Sequence, residues 1–335
     1  MHIGKSYRLG EFLVWTRRNI YILFFLGLFP VVIHEVWGLK WLNVPWPVVG
    51  LLGTATAFTV GFKNAQTYSR ATEGARLWTD ILSLSRFWGT ISIDFLNNPG
   101  QSKELIYRHL AWLTALRYYL REDRVWENNE KSHNKEYQQF FRIPERLRGM
   151  EAELKEFLPA DELELVQRSG NKAGKILALQ SKIIKSLMEN AELIAPQYAT
   201  MQQSMKDFFV LQGKCEQLKD SPYPRQHAVI NHIFVWTFCF MLPFGIVHDF
   251  DLLNEVVDAP LRGYMAWTTI PFSMLISWMY ISLEQVGEST ENPFEGSAND
   301  VPISQMCQQL NIELREMLGE DNLPEALQPH HNIIL

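Results

Sequence analysis

The residues best placed to do chemistry in this chain are a row of small and aromatic side chains, not acids, bases or nucleophiles. Gly53, Ala57 and Gly61 recur every four positions, and beside them run Thr54, Phe58 and Phe62 at the same spacing. On a helix, a four-residue repeat keeps each row on one face. The small row lets a second helix approach closely. If several copies of the chain surround an axis, the second row builds an apolar ring that repels water and gates ions by dewetting. A lipid-facing or packed aromatic stripe has the same spacing, so the pore reading depends on those copies. Lys63, Arg70 and Arg76 follow directly. They suit positive anchors at a cytoplasmic membrane face, or, in a ring of subunits, a means of concentrating anions below the constriction.

More familiar chemistries find little support. Cys215, Cys239 and Cys307 are far apart, with no CxxC or zinc spacing, and a disulfide is not expected in a cytoplasm-facing protein. Cys239 lies in an apolar run, where a small packing role suits it. His34-Glu35 begins like a zinc-protease motif, but Gly38 stands where the second histidine belongs. His330 and His331 are neighbours in a terminal stretch and read as solvated. There is no Walker loop and no dinucleotide fingerprint, so neither nucleotide-driven transport nor an enzyme is expected.

The elements that must position the row are set by where charge is missing. Of 335 residues, 47% are hydrophobic and 20% charged, with a formal net charge of -6. That excludes a disordered chain, a coiled-coil rod and a strongly basic nucleic-acid binder. Yet residues 19–34, 41–62, 226–248 and 263–283 contain no Asp, Glu, Lys or Arg. About 20 apolar residues cross a hydrocarbon core of about 30 Å, so these stretches predict four membrane spans. The first reaches full length once its flanks from Val14 to Trp37 are included. Helices buried in a large soluble core are the alternative. Against it stand Trp37, Trp41, Trp46, Trp236, Trp267 and Trp278, read as interfacial tryptophans, and the absence of helix-periodic polar positions.

Lys5, Arg8, Arg17 and Arg18 precede the first run, and no small-residue cleavage site follows it. They read as a cytoplasmic flank rather than part of a removable signal. The loops carrying Glu35 and Lys40, and Asp249, Asp251, Glu255, Asp258 and Arg262, are poor in basic residues. Both termini are therefore expected in the cytoplasm. Four segments follow: residues 1–66 with the first two spans, a cytoplasmic helical region over 67–225, the last two spans over 226–288, and a cytoplasmic segment over 289–335. Helix-type spacing predicts helices over 71–95, 103–121, 134–157, 161–192 and 196–219. A turn at Asn97-Asn98-Pro99-Gly100 and a loosely ordered tail over 321–335 complete the reading.

Three segments together give the chain a resemblance to the bestrophin family, in its bacterial branch. The first is Gly61-Phe62-Lys63-Asn64 with Tyr68, Arg70, Glu73, Ala75-Arg76 and Leu77-Trp78. The second is Cys215-Glu216, Ser221-Pro222, Pro224, His232, Cys239 and Leu242-Pro243-Phe244-Gly245. The third is Glu291-Asn292-Pro293-Phe294, then Asn299-Asp300-Val301-Pro302-Ile303, Cys307 and 314–319.

The resemblance implies an all-α membrane protein with four transmembrane helices and a large cytoplasmic helical body, assembled as a homopentamer around one axial pore. It implies a passive channel for small monovalent ions, with chloride and other anions favoured. A sodium or potassium channel is the alternative, and a non-conducting scaffold or signalling adaptor a third. Thr54, Phe58 and Phe62 match the family's neck positions, the first of which is usually aliphatic. A second constriction is expected near the start of the helix over 196–219.

Animal relatives bind calcium in an acidic clasp just after the Asn-Pro-Phe segment. Here the corresponding run is Glu295-Gly296-Ser297-Ala298-Asn299-Asp300, which has one aspartate in place of a cluster. Calcium takes about six to eight oxygens. Asn292 and Asp300 therefore read as capping or turn residues rather than a calcium remnant. No cofactor is required; the implied partners are the permeant ions, the bilayer of a bacterial inner membrane and other copies of the chain.

Overall fold

The computed structural model of the protein describes residues 1–5, 7, 9–128, 131, 134–135, 138–258, 260 and 262–335, which leaves Arg8 outside the described residues. Among the described residues there are eleven α-helices and no strand. The helices are α1 (Leu9–Glu35), α2 (Trp46–Asp94), α3 (Pro99–Arg121), α4 (Pro144–Leu147), α5 (Met150–Leu154), α6 (Ala160–Gln167), α7 (Lys172–Glu189), α8 (Ala195–Asp220), α9 (Arg225–Leu252), α10 (Thr269–Glu288) and α11 (Ile303–Met317). They fall into two compact units. One holds Lys5–Ser69 and Tyr223–Glu291, the other Met1–Gly4, Arg70–Pro222 and Asn292–Leu335.

The first unit contains α1, α9, α10 and the first half of α2. Leu9–Glu35 and Arg225–Glu255 are long and apolar enough to cross a membrane. Of the other two expected spans, 41–62 forms the start of α2, and 263–283 is α-helical only from Thr269, after a 3-10 turn at Met265–Thr268. α1 and α10 pack closely where Gly27 faces Ser273: a Cβ on Gly27 would lie 2.9 Å from the Ser273 Oγ. The indole Nε1 of Trp278 donates to the Thr16 hydroxyl at 2.9 Å, joining the same two helices. Val49, Val60, Val235, Phe238, Leu242 and Ile281 are buried together in this unit's core.

The second unit is organised by α3, which packs against α7, α8, α5 and α11. Its start has a plain cause. Asn98 caps the helix, its side chain accepting from the Gly100 N–H at 2.9 Å, and Pro99 stands at the first helical position. Trp88, His109, Trp112 and Phe208 form a sealed aromatic cluster, with the His109 ring centroid 4.6 Å from that of Phe208 and 5.1 Å from that of Trp112. Burial pushes the His109 imidazole down to about 3.

Four expectations about this unit are corrected. The stretch 71–95 is not a separate helix but the second half of α2, and no glycine or proline lies between Phe62 and Arg70 to end that helix. The stretch 134–157 is not one helix: among its described residues lie a 3-10 turn at Gln138–Phe140 and the short helices α4 and α5, with Pro144 and Gly149 starting new elements. The stretch 161–192 breaks at Ser169-Gly170-Asn171, where Asn171 caps α7 by accepting from the Gly174 N–H at 2.7 Å. The tail over 321–335 lacks helix but is not loose. Ile333 and Leu335 are buried with Phe141, Ile143 and Ala298, and Gln305 N–H donates to the Leu335 carbonyl at 2.7 Å.

Candidate functional site

The first half of α2 has two contrasting sides. Val49, Gly53, Thr56, Val60, Lys63 and Thr67 are buried, at alternating four- and three-residue steps. That is the seam spacing of a helix packed along one stripe. On the other side Thr54, Phe58 and Phe62 are all exposed, Phe58 by 65% and Phe62 by 67%. A helix rises about 1.5 Å per residue, so the three side chains form a ladder with rungs about 6 Å apart. Thr54 donates its hydroxyl hydrogen to the Gly50 carbonyl at 2.9 Å, within its own helix. It therefore presents a methyl and two lone pairs rather than a donor.

The small residues divide between the two sides. Gly53 packs inside the unit: a Cβ there would lie 2.7 Å from the Phe238 ring, and Tyr280 donates to the Gly53 carbonyl at 3.2 Å. Ala57 and Gly61 are exposed, and a Cβ on Gly61 would meet nothing within 4 Å. Thr54 and Phe58 also edge an open apolar groove of about 640 Å³, walled by Phe238, Leu242, Ile276 and Tyr280.

Of the basic residues that follow, Lys63 is buried, not presented on the exposed side. Its Nζ lies 3.8 Å from Glu291 Oε2, and the other Glu291 oxygen lies 3.5 Å from the Arg225 guanidinium. The buried Lys63 ammonium and Glu291 carboxylate thus compensate each other, with the half-exposed Arg225 at the carboxylate's other oxygen. Arg70 belongs to the second unit, where its Nη2 donates to the Leu218 and Ser221 carbonyls at 3.2 and 2.7 Å. These are end carbonyls of α8, and a cation there also suits the negative end of the helix dipole. Arg76 is exposed.

In the second unit, Asn292 and Asp300 bracket a buried turn. Asp300 Oδ1 accepts from the Phe294 and Val301 N–H groups at 2.8 and 2.7 Å; Oδ2 accepts from Gly296 N–H at 2.8 Å and Arg121 Nη1 at 2.7 Å. The turn needs this anchor, because Phe294 and Gly296 sit at φ 72° and 88°, a region that costs a non-glycine residue about 1–2 kcal/mol. Phe294 is fully buried against Trp78, and Gly74 of α2 leaves room for Pro293 and Phe294 to approach. Asn292 donates to Glu295 Oε2 at 3.3 Å.

Burial, with Asp300 and Glu127 nearby, pushes the Glu295 carboxyl up to about 8. Glu127 pairs with Lys219 in the same interior; burial raises the one and lowers the other. Four donors already surround the Asp300 carboxylate, one of them the Arg121 guanidinium at 2.7 Å, in place of the further oxygens that calcium takes. The thiols offer no alternative chemistry, since burial pushes both Cys215 and Cys307 up to about 12.

Residues 10–316 match the family described as bacterial/fungal bestrophin protein. The voltage-dependent anion channel-forming protein YneE of Escherichia coli (strain K12) is 25% identical over 292 residues, covering 87% of this chain and 82% of that protein. The voltage-dependent anion channel-forming protein RSc3414 of Ralstonia nicotianae is 22% identical over 320 residues, 94% of this chain and 90% of its own. In fold, the crystal structure of a bacterial bestrophin homologue from Klebsiella pneumoniae matches with a TM-score of 0.75 at 22% identity, covering 91% of this chain and 99% of that one. A family match over nearly the whole length places the chain, a membrane protein, in the bacterial/fungal bestrophin family.

Proposed function

We propose that the protein is a passive anion channel, working as a homopentamer in a bacterial inner membrane with four spans per protomer and both termini in the cytoplasm. Thr54, Phe58 and Phe62 of each copy face a common axis and form the neck. The observation that carries this reading is the exposed Phe58–Phe62 pair on a helix whose opposite side is fully packed. Leaving two phenylalanines in water forgoes about 2–3 kcal/mol each, so that side calls for cover by lipid or by further copies.

An apolar ring holds back water until an ion with its partial shell is driven through. Phenylalanine edges carry partial positive charge and suit an anion sliding past; ring faces would suit a cation. The relatives' name as anion channel-forming proteins favours the anion, chloride being the smallest abundant one. Lys5, Arg8, Arg17 and Arg18, all ahead of the charge-free run 19–34, support the orientation. No cofactor enters this mechanism, and calcium is not its trigger.

Reversal potential across a potassium chloride gradient, with purified protein in a planar bilayer, tests the reading. We expect it near the chloride equilibrium value. A reversal near the potassium value refutes anion selectivity, and a monomer that carries no current refutes the channel.

A further inference from the structure

At the far end of the first unit, away from the row on α2, the last turn of α1 meets the last turns of α9. His34 comes from α1; His248 and Asp251 come from α9, three residues apart and so on one helix face. One ligand atom from each lies within 4.8 Å of the other two. His34 is 3% exposed, and its Nε2 has no hydrogen-bond partner in the protein. Its other nitrogen, Nδ1, lies 3.0 Å from Glu35 Oε1. With Nδ1 facing that carboxylate, Nε2 is the ring nitrogen left over to act as a metal ligand. Nε2 lies 3.8 Å from Asp251 Oδ2. A buried polar atom left unmatched costs about 1–3 kcal/mol, and a cation held between Nε2 and the Asp251 carboxylate would match it.

We propose that His34, His248 and Asp251 bind one divalent cation of the zinc class. Two imidazoles and a carboxylate are the ligands zinc accepts, at about 2.0–2.2 Å from the metal. Calcium and magnesium want more oxygens than this corner supplies. Glu35 on Nδ1 completes the carboxylate–histidine–metal arrangement that fixes a ligand's tautomer and orientation. Asp251 is held ready in the same way, its Oδ1 accepting from Asn254 Nδ2 at 3.0 Å. Its Oδ2 meets the Lys40 ammonium at 3.1 Å, and Lys40 is 64% exposed. An exposed ammonium there marks a place for positive charge, and its long side chain has open solvent to turn into when a metal enters. Three protein ligands leave a fourth position for water or a small anion. The bound metal would tie α1 to α9, so its signature is stabilisation, independent of conduction.

The test uses the full chain in detergent, stripped with a chelator and titrated with zinc alone against a chromophoric zinc indicator. Expected is one zinc per protomer, saturating at micromolar concentration, with a raised unfolding temperature. Because His34 is buried, the main variant is His248→Ala on the half-buried partner. It should weaken binding at least about tenfold and abolish the thermal shift, and Glu35→Gln should weaken binding about 10–100-fold. His330→Ala combined with His331→Ala should change neither reading. No saturation below millimolar zinc, or parental affinity in His248→Ala, overturns the proposal. Current in the bilayer assay would be untouched by that failure, so the two readings fall separately.

Discussion

Removing the Asp300 carboxylate tests how the second unit is held together. In Asp300→Ala the Phe294, Gly296 and Val301 N–H groups lose their acceptor, and Arg121 loses its 2.7 Å partner. Among the described residues Arg121 then keeps the Val301 carbonyl at 3.2 Å and Glu145 Oε2 at 3.8 Å. Breaking a buried pair by deleting one partner costs about 3–5 kcal/mol. The stranded amides would each add about 1–3 kcal/mol if nothing relaxed, so 3–5 is a floor. For a unit of roughly 200 residues, about 2–4 °C is lost per kcal/mol, giving a fall of about 6–20 °C. Differential scanning fluorimetry of parent and variant, in the same detergent and at the same scan rate, reads it. Asp300→Asn should recover little, because its amide hydrogens would face the Gly296 N–H and Arg121. A variant melting within about 2 °C of the parent would refute the anchoring role. So would a melting temperature in the parent that rises with added calcium, since the carboxylate would then be a ligand with room to spare.

Phe58→Ala with Phe62→Ala should widen the neck and raise halide flux in liposomes; unchanged flux in correctly assembled protein would remove the gate from these positions. Glu295→Gln should change the pH profile of stability. Glu295 titrates near 8 in the fold and near 4.5 when unfolded. The folded chain thus holds the extra proton between those values, and the advantage of folding declines as pH rises from about 4.5 to 8. The variant should match the parent at pH 4.5 and melt higher at pH 8, and a parallel pair of profiles would contradict the assignment.

The sequence reveals some of this directly because the signals are local. The Thr54, Phe58, Phe62 row needs only the four-residue repeat, and Asn98-Pro99 announces the start of α3. Where it misleads, the deciding contact comes from distant chain. Lys63 looks like a surface anchor until Glu291 is brought to it. Periodicity runs unbroken across Ser169-Gly170-Asn171, yet Asn171 prefers to cap rather than continue. The apolar residues of 330–335 find their cover on Phe141 and Ile143, which no spacing rule connects to them. His34 has Gly38 at i+4, and the histidine that stands near it, His248, comes from another helix.

The ring cluster around His109 equips the second unit with its own optical indicator. Trp88 and Trp112 are both sealed from solvent, and Trp112 is pinned by its Nε1 donating to Gln212 Oε1 at 2.9 Å. Tilted rings locked against Phe208 give strong near-ultraviolet dichroism, which disappears once packing loosens even if helices survive. Loss of that band before the helical signal would report a softened interior without any attached dye.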